Sequence, residues 1–204
     1  MHALEQASLF GAGEPRLDPD LRGLRRLTLS GSAWVDHLPG WIEGHDAVFQ
    51  TLRSTTRWEH QRRRMYERIV DVPRLVATLP NDGPGHPVLS KAADALSRHY
   101  GLALDRVSLA YYRDGRDSVA WHGDRLGRLV DDTVVAILSL GEPRRFLLRP
   151  AAGGPSRAFD LGWGDLLVMG GRCQRTWQHA VPKMALAGPR MSVQFRPHLA
   201  DEES

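Results

Sequence analysis

The feature that most constrains this chain is a change of period at Gly101. From Pro87 to Tyr100 the apolar residues Leu89, Ala92, Ala93 and Leu96 recur at helical spacing, and Gly101 is the stop such a helix needs. Beyond it the period is two. Val107–Tyr112, Ser118–His122, Thr133–Leu140, Arg145–Leu148, Asp165–Met169 and Met191–Phe195 read as short strands, each bounded by Gly, Pro or Asp. Short strands without intervening helices predict an antiparallel double-sheet barrel of the jelly-roll kind. Before Pro87 the pattern is mixed. Residues 1–22 read as a loop-like arm, Leu27-Thr28-Leu29 as a short strand and Asp46–Arg53 as a helix presenting Val48, Phe49 and Leu52. Trp58–Arg68 is a basic, aromatic segment, and the stretch from Pro80 to Pro87 carries the turn residues of a surface loop. The fold class is therefore α+β with a mostly β core: a helix-bearing N-terminal extension feeding a jelly roll.

At 204 residues the chain has material for one substantial core, and residues 1–204 are expected to form a single domain. A hydrophobic fraction of 42% and a charged fraction of 25% are those of a water-soluble globular protein. No apolar run is long enough to span a bilayer, and the first residues lack the pattern of a signal peptide, so no membrane association is expected. Cys173 stands alone, which excludes an internal disulfide and fits a cytoplasmic setting. Of the 27 basic residues all but Lys91 and Lys183 are arginine. Guanidinium forks suit phosphate and base recognition. A GC-rich genome produces the same bias whatever the protein does, so composition alone does not choose a partner.

The chemistry begins at Trp121-His122-Gly123-Asp124. His122 and Asp124 are two apart, so an extended strand points both side chains to one face. With the distant His179 they make the two-His, one-carboxylate set that holds one face of a non-haem iron(II) ion and leaves positions open. The structural alternative is a histidine at a strand end and an aspartate capping the next turn. Arg190 and Arg196 are an even number of residues apart on one predicted strand, sharing a face with Ser192 and Gln194. An arginine inside a barrel is costly unless it meets an anion, and a dicarboxylate such as 2-oxoglutarate would satisfy it through a bidentate fork. An edge strand with both arginines in solvent is the alternative.

The run Tyr112-Arg113-Asp114-Gly115-Arg116-Asp117-Ser118-Val119-Ala120-Trp121-His122-Gly123-Asp124 resembles the iron-binding motif of the AlkB family. So do Ser139-Leu140-Gly141, Gly164–Gly171, Trp177-Gln178-His179 and Arg190–Arg196, in matching order and spacing across residues 104–197. The resemblance implies a double-stranded β-helix core over 104–197, with 1–103 supplying an extension, supporting helices and a substrate lid. It implies iron(II) on His122, Asp124 and His179, with 2-oxoglutarate as cosubstrate and dioxygen as oxidant. Arg190, helped by Tyr112, would hold the distal carboxylate. Arg196 would lie near Asp124 and the iron-proximal carboxylate, and Val119, Ser139 and Leu148 would line the pocket. Two positions depart from the family: Ala110 and Ser192 stand where it often has asparagine, and only serine can still donate a hydrogen bond.

The implied activity is oxidative removal of alkyl groups from nucleobases of the 1-methyladenine and 3-methylcytosine type. Formaldehyde, succinate and carbon dioxide are released. The partner is DNA or RNA, with single strands favoured because the base is already unpaired, and the enzyme is expected to be a monomer. Trp58 and Tyr66 are the candidates for stacking on the base, with Arg62, Arg63 and Arg64 for phosphates. The segment Arg125-Leu126-Gly127-Arg128 lacks the acidic residue that the family often places after the iron-ligating aspartate. Two other readings stay open, the first of them motivated by that departure. One is the same oxygenase chemistry on a modified RNA base, a protein side chain or a small molecule. The other is an arginine-rich nucleic-acid-binding module without turnover.

Overall fold

Helix formation is set at Pro87, which fixes φ at the first helical position, after His86, whose Nδ1 accepts from the Val88 amide at 3.2 Å. At the other end Gly101 adopts φ 64° and closes the helix at Tyr100, so the element covers Pro87–Tyr100 as its sequence predicts. The computed structural model describes residues 14–65, 68–80, 85–124 and 132–197. In chain order the strands are β1 (Arg16–Leu17), β2 (Arg25–Thr28), β3 (Trp34–Leu38) and β4 (Ile42–Glu43), followed by helix α1 (His45–Thr55). Next come β5 (Glu59–Met65) and β6 (Arg68–Thr78), then α2 (Pro87–Tyr100), β7 (Arg106–Tyr112) and β8 (Val119–His122). The remainder is β9 (Val135–Gly141), β10 (Arg144–Pro150), β11 (Arg157–Leu161), β12 (Asp165–Gly170), α3 (Cys173–Thr176), β13 (Trp177–Val181) and β14 (Arg190–Arg196).

Two antiparallel sheets hold the site. The larger has eight strands in the order β2-β3-β12-β9-β14-β7-β6-β5; the smaller has four, β11-β10-β13-β8. This is a jelly-roll core. Alternation along each strand of the larger sheet divides its side chains between two cores. Leu109, Tyr111, Leu138, Leu140, Val193 and Phe195 pack on the outer side under Phe49 and Leu52 of α1 and Leu89 and Leu96 of α2. Ala110, Tyr112 and Ile137 turn inward, toward Phe146, Leu148 and Val181 of the smaller sheet. The inter-sheet space is therefore apolar at its base and becomes polar along β7 and β14.

Several strands lie beyond the sequence expectation. The N-terminal half contributes β2, where a short strand is expected at Leu27–Leu29, and the unexpected β3, β5 and β6 to the larger sheet, so it extends the core as well as flanking it. The basic segment after Trp58 is the β5–β6 hairpin, and Pro73 sits within β6. Strands β11 and β13 were not predicted; they flank β10 in the smaller sheet. At β3 the carboxylate of Asp36 is 1% exposed. It accepts two bonds of 2.7 Å from Arg26 and one of 3.0 Å from the Tyr100 hydroxyl, which ties α2 to the sheet edge. Trp163 is 56% exposed and adopts a left-handed φ of 47°.

Candidate active site

Strand pairing brings the three expected ligands together. On β8 and β13, His122 and His179 are register partners, and their rings lie 4.2 Å apart between centroids. Asp124 follows β8 by two residues. The ligand atoms of His122, Asp124 and His179 all lie within 4.8 Å of one another, with His179 Nε2 and Asp124 Oδ1 4.0 Å apart. Spacing of that order leaves room for one ion between them. His122 Nδ1 lies 2.8 Å from the Ala120 carbonyl. A proton there is donated to that carbonyl, which leaves Nε2 as a lone-pair donor. Phe146 stacks on His179 at 5.3 Å and fixes the plane of that ring.

The turn that carries Asp124 is held from below. Its amide donates to Gln174 Oε1 at 3.1 Å, and a Cβ at Gly123 would come within 2.8 Å of the Gln174 carbonyl oxygen. Glycine lets the two backbones approach so closely. Gln174 belongs to the short helix α3 and is buried. Sequence reasoning missed it, because a lone glutamine in four helical residues carries no periodicity. Arg196 Nη2 donates to Asp124 Oδ1 at 3.2 Å, and its Nη1 donates to Ser108 Oγ at 2.7 Å and to Gln194 Oε1 at 3.0 Å.

Electrostatics follow burial. Desolvation pushes the Asp124 carboxyl up, but Arg196 and the two histidines together hold it below the ordinary carboxylate range. Desolvation takes His179 down to about 4, against the pull of Asp124. Both groups are therefore in their ligating forms at neutral pH: an ionised carboxylate and a neutral imidazole.

Facing the metal ligands, the larger sheet offers a cationic end. Arg190 is 1% exposed and donates Nη2 to Ser139 Oγ, 2.6 Å away on β9. Its Nε is buried with no hydrogen-bond partner. Burial pulls the guanidinium down to about 10, so it remains charged at neutral pH. Buried charge with unused donors is costly until an anion fills the space beside it. The donor set and the cationic end together fit a metal ion and a dicarboxylate. Tyr112 lies between Arg190 and Arg144, with guanidinium carbons 5.4 and 5.6 Å from its ring centroid. Arg144 was not singled out by its sequence. It is 1% exposed and donates to the carbonyls of Asp114, Asp117 and Pro182. Asp117 in turn accepts three bonds from Arg113, so the β7–β8 turn is pinned between Tyr112 and His122.

One cavity of about 720 Å³ joins these groups. Tyr112, Val119, Ser192 and Arg196 line it together with the three ligands and Arg190. Ser139 and Leu148 sit behind the wall, fully buried: Ser139 holds Arg190, and Leu148 pairs with His179 across β10–β13. Ala110 and Ser192 are register partners on the cavity wall.

The substrate candidates fare differently. Trp58 does not line the cavity: its indole donates to the Arg53 carbonyl at 3.2 Å and packs 5.2 Å from Tyr111, against the core under the helices. The reason is alternation, since Glu59, the next residue, is the one that faces inward. Arg62, Arg63 and Arg64 lie on β5, but their side chains, and the whole of Tyr66, fall outside the described residues. The segment 125–128, with its missing acid, does too.

Fold and site together define a class: a jelly-roll oxygenase with a two-His, one-carboxylate metal set and a buried cation for a dicarboxylate. Residues 50–196 match the family model described as the 2OG-Fe(II) oxygenase superfamily. The chain is 30% identical over 212 residues to the human alpha-ketoglutarate-dependent dioxygenase alkB homolog 3, covering 91% of this chain and 73% of that one. It is 28% identical over 211 residues to the human DNA oxidative demethylase ALKBH2, covering 91% and 80% respectively. Among solved structures, that of OsALKBH1 superposes with a TM-score of 0.60 at 17% identity, covering 85% of this chain and all of that one, a likeness of fold. The chain belongs to the 2OG-Fe(II) oxygenase superfamily, within its AlkB family. It is a dioxygenase that depends on iron(II), 2-oxoglutarate and dioxygen.

Proposed function

We propose that this enzyme demethylates N-alkylated bases of the 1-methyladenine and 3-methylcytosine type in DNA or RNA, acting as a monomer and preferring single strands. The observation that carries the reading is the cavity itself. It sets His122, Asp124 and His179 together with a buried arginine that has a free donor, and its wall extends to β5 and β6 through Glu59, Arg74 and Val76. Likeness to proteins named for oxidative demethylation of DNA supports the substrate class.

His122, Asp124 and His179 would hold the iron, which when bound supplies the oxidising chemistry that 2-oxoglutarate drives. Arg190 takes the distal carboxylate of the cosubstrate, with Ser139 fixing its fork and Tyr112 at its side. Arg196 keeps Asp124 ionised and oriented. Walls of Val119, Phe146 and Ile137 exclude water from the reacting carbon. Hydroxylation of the N-methyl carbon leaves a hemiaminal that releases formaldehyde unaided. Reaching that site requires a base out of its stack, which costs least in a single strand.

Formaldehyde release from methylated oligonucleotides, measured alongside succinate formation, tests the reading. Stoichiometric release that disappears in His122→Ala is expected. Succinate formation with no formaldehyde from any methylated DNA or RNA would move the substrate elsewhere.

A further inference from the structure

Charge in the cavity is unevenly distributed, and the imbalance points at one residue. Arg74, Arg106, Arg190 and Arg196 line it, against only two carboxylates among the described residues, Asp124 and Glu59. Asp124 is committed: it accepts from Arg196 and belongs to the metal set. Glu59 is not. It stands at the start of edge strand β5 opposite Val76, in the row that runs through Ala110 and Ser192 to Ser139. That row runs from the exposed β5 edge across the cavity wall to Ser139, which holds Arg190.

Alkylating a ring nitrogen of adenine or cytosine that carries no hydrogen fixes a positive charge on the base. With Arg196 paired to Asp124 and Arg190 assigned to the cosubstrate, a cationic base passing Arg74 and Arg106 gains from a carboxylate on the same wall. We infer that Glu59 is the specificity-determining residue for cationic bases. It would supply from the β5 edge the counter-charge that the segment after Asp124, reading Arg125-Leu126-Gly127-Arg128, does not carry. The inference rests on the demethylase reading above. Glu59 touches no metal ligand and lies at the far end of the strand row from Arg190, so cosubstrate binding does not depend on it. Its side chain is solvent-exposed, which limits the effect through screening but keeps it available to a substrate arriving from solution.

The test compares two classes of substrate in the full-length, iron-loaded enzyme. Single-stranded oligonucleotides carrying 1-methyladenine or 3-methylcytosine are cationic; those carrying 3-methylthymine or 1-methylguanine are neutral. For Glu59→Gln, kcat/KM on the cationic pair is expected to fall about tenfold, the size of a lost charge-assisted contact. On the neutral pair it changes less than twofold, and the KM for 2-oxoglutarate stays the same. Glu59→Asp should recover part of the loss, which a folding defect would not. An equal loss on both classes, or no loss on either, overturns the assignment while leaving the demethylase reading intact. If the unmodified enzyme releases formaldehyde from none of the four, that reading falls and this one with it.

Discussion

The two faces of strand β14 meet opposite requirements within seven residues. Toward the helices, Met191, Val193 and Phe195 are fully buried among apolar neighbours. Toward the cavity, Arg190, Ser192, Gln194 and Arg196 form the polar wall of the site. One face gains stability from every contact. The other holds a buried guanidinium whose Nε has no partner, a cost that a bound anion would offset. Folding and function are thus separated by alternation along one strand, and changes on the two faces should have separable consequences.

The largest effect is expected from His179→Ala, which removes a ligand: formaldehyde release should drop below detection while the thermal transition of the metal-free protein stays within a few degrees of the parent's. Coincident loss of folding would erase the contrast between the faces. Phe195→Ala does the reverse. Emptying that buried site should cost about 3–5 kcal/mol in urea unfolding, with the KM for 2-oxoglutarate unchanged in the molecules that remain folded. Arg190→Met sharpens the comparison most. The KM for 2-oxoglutarate should rise roughly 10- to 100-fold, as one charge-assisted fork is lost. The unliganded protein should be as stable as the parent or more so, since a desolvated charge has been replaced by a shorter, flexible apolar chain. A destabilised Arg190→Met would show that the guanidinium supports the fold.

Acidification probes the same side of the molecule. His179 is pushed down to about 4 from an ordinary 6.5, so the unfolded chain takes up this proton first as the pH falls. That contribution to stability is complete above pH 6.5 and is lost progressively toward pH 4, amounting to roughly 3 kcal/mol at most. In the metal-free protein, His179→Asn should flatten the stability profile through that window; an unchanged slope would assign it to other groups. The smallest effect belongs to Ala110→Asn, which returns an amide to the cavity wall beside Ser192. One added hydrogen bond to the cosubstrate should lower the 2-oxoglutarate KM about twofold to tenfold.

Much of this arrangement is legible in the sequence because period and parity carry it. The alternation of β14 by itself places Arg190, Ser192, Gln194 and Arg196 on one face, and Pro87 and Gly101 bracket α2 at the residues where it begins and ends. What escaped has physical causes. Strand β11 (Arg-Ala-Phe-Asp-Leu) is exposed over most of its length, so its composition lacks the apolar alternation that marks a half-buried strand. Arg144 and Arg145 are adjacent, and only the register against β11 and β13 shows which of them enters the core. Trp58 looked like a stacking residue by type, but one step of parity gives the cavity to Glu59 and the helix-side core to the indole. Long-range pairing decides such positions, and a single sequence does not encode it locally.

The unsatisfied guanidinium of Arg190 bears on lifetime as well as on catalysis. A ligand that binds only the folded chain shifts the unfolding equilibrium by mass action, by about 2.7 kcal/mol at a hundred times its dissociation constant. Proteases that act on transiently opened molecules sample that equilibrium. A cosubstrate seated on Arg190 would therefore double as a folding ligand, and an enzyme saturated with 2-oxoglutarate would resist proteolysis longer than the empty one.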